Sequence, residues 1–240
     1  MIRRAMLLAA GLGTRMRPLT DRLPNPLLPL GGKPLIDHAL DRLGEAGVET
    51  VVVNVHWHAD QVAAHLAGRS RPRTVLLREA ALLDTGGSVQ AALHLLGTEP
   101  FFIVNGDAFW VDGPVPALAR LAAAFDPGTM DGALLVHCAF QVHAEVGLGD
   151  FALDAWGGLR RRHEREVVPY IYAGLQIVAP KLLAGMPDGR FSINRAWDAA
   201  MAAGRLRAVV HDGLWFHLST PADLWEAESI LQARLTGDTR

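Results

Sequence analysis

The sequence predicts an α/β fold built on a mostly parallel sheet. Three observations point there. Short apolar, β-rich runs recur at 5–10, 50–55, 74–77, 101–105 and 132–136. Apolar residues at helical spacing fill the intervals between them. The strand runs are nearly continuous in hydrophobicity, as strands covered on both faces are. Strand and helix alternating in this way build βαβ units.

Each element has its own signal. The run from Ala5 to Ala10 ends in Gly11-Leu12-Gly13, a strand feeding a turn. Leu35, Ile36, Ala39, Leu40, Leu43 and Ala46 recur at helix spacing, and Gly47 stops them. Val62, Ala63 and Leu66 mark a shorter helix; Val89, Ala92, Leu93 and Leu96 mark a third, ended by Gly97; Leu118 through Phe125 mark a fourth. The second half reads differently. Phe151–Leu153 and Leu159–Arg162 flank Asp154-Ala155-Trp156-Gly157-Gly158, the composition of a hairpin turn. A strand over 170–178, a helix over 194–203, a strand over 206–211 and a helix over 221–235 follow, the last with Pro221 in its first turn. No Pro/Ser-rich linker, internal repeat or low-complexity tract divides the chain. One domain over 1–240 is expected, with 1–140 and 141–240 as its two parts.

Half of the 240 residues are hydrophobic, ample for a core. A net charge of −2 argues against a nucleic-acid or membrane surface as partner. No apolar run is long enough to span a bilayer. Met1-Ile2-Arg3-Arg4 leads into an apolar run that ends in Gly-Leu-Gly instead of a cleavage site, so the run reads as a strand and not a signal peptide. The single Cys138 cannot form an internal disulfide, which suits a reducing cytoplasm. It reads as a buried filler of its apolar strand. Nothing in the sequence demands an oligomer, and a monomer or weak homo-oligomer is expected.

The most informative stretch is Ala9-Ala10-Gly11-Leu12-Gly13-Thr14-Arg15-Met16-Arg17. Glycines let a backbone approach an anion without a Cβ in the way. Arginine's planar fork matches phosphate oxygens two at a time. Two commoner phosphate loops do not fit. A P-loop needs Gly-Lys-Ser/Thr after its spacer, and a dinucleotide fingerprint needs a third glycine where Met16 stands. Ligands of such sheets bind beyond the carboxyl ends of the strands. The Gly11–Arg17 loop and Asp107 follow the first and fourth strand runs, so one cleft can hold both.

Leu8 through Thr20 resembles the signature loop of the sugar-1-phosphate nucleotidyltransferases. The resemblance continues through Pro26-Leu27-Leu28-Pro29-Leu30, Gly32-Lys33-Pro34-Leu35-Ile36, Asp84-Thr85-Gly86-Gly87, Asn105-Gly106-Asp107 and Trp215-Phe216-His217-Leu218-Ser219-Thr220, and spans essentially the whole chain. Among subfamilies, the short length and the Leu-Asp-Thr-Gly-Gly segment are most similar to the bacterial uridylyltransferases of N-acetylmuramate 1-phosphate. The resemblance implies a Rossmann-like three-layer sheet of the nucleotide-diphospho-sugar transferase type, with a small antiparallel sugar-binding elaboration after residue 140. It implies a nucleoside triphosphate, UTP first, and a sugar 1-phosphate as substrates, with Mg²⁺ or another divalent ion such as Mn²⁺ as cofactor. Arg15, with Asn25 and Asp107, falls at catalytic positions. Ala9, Ala10, Gly11, Leu12, Gly13, Thr14 and Arg15 match the triphosphate loop, and Glu79, Thr85, Gly86 and Gly87 the base-reading segment. Asn105, Gly174 and Asn194 match sugar contacts. Asp107 and His217 match metal positions.

Residue chemistry leaves several of these open. For the Asp84-Thr85-Gly86-Gly87 segment, an N-capped strand-to-helix turn weighs nearly as much as base reading. Arg17 either reaches phosphate or pairs with a neighbouring acid. Arg160-Arg161-Arg162-His163-Glu164-Arg165-Glu166 is either a solvated face or an anion patch, able to fork a sugar's lactyl carboxylate. His56 reads as a cleft or core residue and His58 as a helix start.

Two positions depart from the family pattern. Asn25 stands in Pro24-Asn25-Pro26 where the family commonly has lysine, and lysine occurs here only at 33 and 181. Lys33 lies eight residues on, beyond another proline. His217 stands where the family often has the second metal-binding aspartate. An imidazole there binds a softer ion, acts through a metal-bound water, or packs beside Trp215 and Phe216. Mannose or glucose 1-phosphate with another nucleotide, or a catalytically impaired nucleotide-binding homologue, are the alternative functions.

Overall fold

Alternate residues of the central strands divide between two apolar layers, one on each face of a mixed sheet. The computed structural model describes residues 1–142 and 146–236. Its strands are β1 (Arg4–Leu8), β2 (Pro29–Leu30), β3 (Lys33–Pro34), β4 (Thr50–Val55), β5 (Arg73–Arg78), β6 (Phe101–Asn105), β7 (Phe109–Val111), β8 (Gly132–Cys138), β9 (Phe151–Leu153), β10 (Leu159–Arg161), β11 (Tyr170–Val178), β12 (Leu206–Val210) and β13 (Leu214–Phe216). The α-helices are α1 (Leu35–Glu45), α2 (Ala59–Leu66), α3 (Asp84–Leu96), α4 (Ala117–Ala124), α5 (Asn194–Ala202) and α6 (Pro221–Thr236).

The main sheet runs β10-β9-β11-β6-β1-β4-β5, and β8 joins β11 to β12. β6, β1, β4 and β5 are parallel neighbours, as the alternation of strand and helix predicts. β11 lies between β6 and β8 and runs antiparallel to both. The anticipated hairpin of β9 and β10 extends the sheet antiparallel beyond β11.

Side-chain alternation explains the layers. Ala5, Leu7, Val51, Val53, Phe102 and Val104 face α1, α2 and α4 through Ile36, Leu40, Leu43, Val62, Leu66 and Leu121. Met6, Val52, Phe101 and Ile103 face α3 and α5 through Val89, Ala92, Leu96, Ala196 and Trp197. A third cluster joins Met16, Leu30, Leu35, Phe109, Phe216 and Leu224. It ties the signature loop to the β7–β13 ribbon and α6, so residues distant in sequence converge on one rim of the sheet. Cys138, at the end of β8, is only half-buried, because the strand is leaving the core there.

Candidate active site

A cleft of about 740 Å³ opens at the carboxyl ends of β1, β4 and β6. Ala9, Ala10 and Gly11 form part of its lining, with Thr14, Arg15, Asn25 and Asp107, while Glu79, Asp84 and Thr85 also contribute. Leu12 and Gly13 do not line it; they shape the turn. Gly13 sits at φ +60°, and a Cβ there would lie 2.8 Å from Thr20 Cγ2. The Thr20 hydroxyl donates to the Gly13 carbonyl at 2.6 Å and is itself buried. Burial of Met16, worth about 2 kcal/mol, anchors the following single turn of 3-10 helix, Thr14–Met16. Thr20→Val leaves the Gly13 carbonyl without that donor and is expected to cost about 1–2 kcal/mol, read as a drop in thermal midpoint.

Arg15 is exposed and lines the cleft, whereas Arg17 pairs with Asp21 at 3.3 Å. Lys33 is bonded to Asp41 and does not line the cleft. It does not stand in for the family's lysine. Asn25 Nδ2 donates to Asp107 Oδ2 at 3.2 Å. Asn25 Oδ1 is buried and has no hydrogen-bond partner among the described residues. Burial pushes the Asp107 carboxyl above the usual range, against its own backbone hydrogen bond, the charges of Arg15 and His217, and the Asn25 amide. Burial lowers the pKa of the His217 imidazole, with Arg15 acting in the same direction and Asp223 and Asp107 against it. His217 Nε2 pairs with Ser219 Oγ at 2.8 Å, and its ring centre lies 5.6 Å from that of Trp215. That packing engages one of its two nitrogens.

Among the described residues no three His, Cys, Asp or Glu side chains gather into a metal cage. The donor set still fits a hard divalent ion. A half-buried carboxylate with a raised pKa faces the cleft, and the Asn25 amide oxygen lies beside it. Magnesium is commonly held by one or two carboxylates together with substrate phosphates and waters.

Elsewhere in the cleft, polar groups lock one another. Asn54 Oδ1 accepts the Ala9 amide at 2.8 Å, and its Nδ2 donates to Glu79 Oε1 at 2.8 Å. Ser88 Oγ donates to the same oxygen at 2.6 Å, and the Leu83 amide reaches Oε2 at 3.3 Å. Glu79 is buried and thus braces the loop against α3. Asn54 and Ser88 also line the cleft and were not singled out from sequence. The signal for Asn54 was there: it is the one polar residue inside an apolar strand run.

Gly86 and Gly87 do not line the cleft. A Cβ on Gly86 would meet the Phe191 ring at 2.3 Å, and one on Gly87 would meet the Gly189 carbonyl at 2.1 Å. They let the first turn of α3 lie against the 189–193 segment, whose Phe191 carbonyl accepts both amides. Thr85 Oγ1 accepts the Ile193 amide at 3.0 Å. The cleft therefore meets Thr85 and Asp84 side chains, while the glycines provide the close fit behind them.

A second cavity of about 280 Å³ adjoins the first, sharing Leu8, Asp84, Thr85 and Asn105 with it. Asn105 and Asn194 both line it. Gly174 does not. It sits at φ +82° where β11 slips register against β8, and a Cβ there would lie 3.0 Å from Ala108 Cβ. Tyr172, Trp197, Asp150 and Arg161 are among the other residues of the cavity wall. Trp197 Nε1 donates to Gln176 Oε1 at 2.9 Å, and Gln176 Nε2 donates to the Tyr172 hydroxyl at 3.1 Å. Burial raises that phenol's pKa, so Tyr172 stays neutral. Of these four wall residues, only Arg161 fell within a stretch whose residue types suggested binding, its arginine run.

Arg160 forks Glu166 through Nη1 and Nη2 at 2.8 and 2.7 Å, a solvated pair outside the cavity. His56 Nδ1 lies 2.9 Å from the Glu79 carbonyl, and His58 precedes α2, as expected of a helix start.

Residues 5–156 match the MobA-like NTP transferase domain. The chain is 43% identical to the N-acetylmuramate alpha-1-phosphate uridylyltransferase of Caulobacter vibrioides, covering 96% of each chain. It is 31% identical to the protein of the same description from Neisseria meningitidis serogroup B, over 96% of this chain and 99% of that one. Its fold is similar to that of a UDP-glucose pyrophosphorylase solved with UDP-glucose, with a TM-score of 0.80 at 18% identity, covering 98% of this chain and all of the other. With a transferase domain over most of its length and relatives alike from end to end, this chain belongs to the sugar-1-phosphate nucleotidyltransferase family.

Proposed function

We propose that this protein transfers UMP from UTP to N-acetylmuramate 1-phosphate and releases pyrophosphate, in the cytoplasm, as a step in peptidoglycan recycling. The full-length 43% likeness to the Caulobacter uridylyltransferase carries this reading. A cleft that gathers Arg15, Asn25 and Asp107 supports it. Among the described residues no helix is long and apolar enough to cross a membrane.

In the reaction, an oxygen of the sugar phosphate attacks the α-phosphorus of UTP. A new P–O bond forms as the bond to the β-phosphate oxygen breaks. Such a step needs two anionic groups aligned and their charge offset. Arg15 and the amides of the Gly11–Thr14 turn hold the β- and γ-phosphates. Asn25 donates its amide hydrogens at the Asp107 end of the cleft. Asp107 holds Mg²⁺ or another divalent ion, which when bound supplies positive charge to the phosphates. Glu79 keeps the base-side wall in place through Asn54 and Ser88. Asn105 and Asn194 bind the sugar.

Pyrophosphate release tests the reading across UTP, GTP and dTTP with N-acetylmuramate, mannose and glucose 1-phosphates, in Mg²⁺ or Mn²⁺. UTP with N-acetylmuramate 1-phosphate should show the highest kcat/KM. Tight triphosphate binding without turnover of any pair would instead establish an impaired homologue, the reading that Asn25 and His217 favour. Asn25→Lys separates the two further. If a missing charge near the α-phosphate limits the rate, kcat should rise by about 10²-fold. An unchanged or lower kcat refutes that account.

A further inference from the structure

Arg161 stands on the wall of the sugar cavity, at the end of β10, with its guanidinium against two rings. The guanidinium carbon lies 5.1 Å from the centre of Phe151 and 5.9 Å from that of Trp197. Nε donates to Asp198 at 2.7 Å and Nη2 to Asn194 Oδ1 at 3.0 Å. Nη1 has no protein partner among the described residues. Two hydrogen bonds therefore fix the rotation of the group beside the rings, with a terminal nitrogen still available.

The other charged side chains of this cavity are acidic. Asp150 accepts the Tyr172 amide at 2.9 Å, and Asp84 accepts the Thr85 amide at 2.6 Å. Asp150 and Asp84, with Asn105, suit the hydroxyl and amide groups of a neutral sugar. Among the described residues Arg161 is the one cationic side chain lining the cavity, and so the place in it where an added carboxylate meets positive charge. A pre-oriented guanidinium with a spare donor edge is suited to a carboxylate.

We propose that Arg161 binds a carboxylate carried on the sugar ring, and so makes this cavity selective for an acidic sugar 1-phosphate over its neutral counterpart. The assignment rests on the uridylyltransferase reading above and names what sets its sugar preference. N-acetylmuramate and N-acetylglucosamine 1-phosphates differ only in the lactyl ether and its carboxylate, so the pair isolates this contact. Asn194 acts through Arg161 as a positioning residue, in addition to any contact of its own.

The test measures kcat/KM with UTP for both sugars, on wild type, Arg161→Met and Arg161→Lys. A third substrate, N-acetylmuramate 1-phosphate with its carboxylate converted to the amide, probes the contact from the ligand side and needs no folded variant. Arg161→Met should lower kcat/KM about 10²-fold for the acidic sugar and leave N-acetylglucosamine 1-phosphate within about threefold, as for loss of a charge-assisted contact. Arg161→Lys should restore part of that loss. Wild type should react about 10²-fold less well with the amide, and Arg161→Met should lose nothing further on it. Equal losses on both sugars would place Arg161 on the common phosphate or in the scaffold and overturn the proposal. So would a wild-type enzyme that uses acid and amide alike. A wild-type enzyme inert toward all three sugars would overturn the uridylyltransferase reading, and the Arg161 assignment with it.

Discussion

Asp107→Asn should lower kcat/KM by at least about 10³-fold, equivalent to about 4 kcal/mol of transition-state stabilisation. The substitution keeps the size of the side chain and removes the negative charge proposed to hold a divalent ion. It should not unfold the protein. Burial raises the Asp107 carboxyl above its ordinary value, so the ionised form is disfavoured in the metal-free fold. For a group raised in this way, stability is greatest where the carboxyl is protonated and falls as pH rises through the folded value. Asn carries no such penalty. Metal-free Asp107→Asn should therefore melt at or above the wild-type temperature at neutral pH, with the difference shrinking as the pH is lowered. Mg²⁺ should add to the rise that UTP produces in the wild-type midpoint and add nothing to it in the variant. Thermal shift with and without metal and triphosphate reads both effects. A variant that keeps its metal-dependent shift would remove Asp107 from the metal position.

Gly87→Ala should be the most damaging single methyl added near the cleft. Its Cβ would fall 2.1 Å from the Gly189 carbonyl oxygen, a backbone atom held in a loop with Gly189 at φ +83°. Neither side can move without separating α3 from the 189–193 segment. Overpacking of this kind costs about 1–3 kcal/mol, and in a chain of this size each kcal/mol lowers the midpoint by about 2–4 °C. The expected fall is thus up to about 10 °C. Triphosphate affinity should fall as well, because Thr85, Asp84 and Arg190 line the cleft from the two segments that would separate. Calorimetric melting and UTP titration check the two effects. A variant as stable as wild type would show that the 189–193 loop yields, and that the contact does not hold the wall.

Much of this protein is legible in one dimension. Strands β1, β4, β6 and β8 and helices α1, α3 and α5 follow from apolar periodicity, because a strand or helix must turn its apolar residues toward the core wherever the chain places it. Gly13 and Arg15 read as an anion loop because residue type and close spacing are local, and the structure places Arg15 on the cleft. Asp107 is marked by its position at a strand end. The β7–β13 ribbon was missed, since three-residue strands leave no periodic signal.

Tertiary structure alone decided the rest. β11 inserts antiparallel between β6 and β8, a choice made by packing between distant segments and not by local propensity. Asn25 meets Asp107 across 82 positions, and Thr85 meets Ile193 across 108. Gly86 and Gly87 pack closely against what lies behind the cleft wall, which is visible only once Phe191 and Gly189 are opposite them. Arg161 differs from Arg160 in sequence by a single position. The two-residue alternation of β10 sends one to Glu166 in solvent and the other toward Trp197 on the wall of the second cavity. Sequence by itself determined which chemistry the chain carries, because residue type and short spacing are local. Which of those residues share a site depended on contacts between segments far apart in the chain, and these exist only after the sheet has assembled.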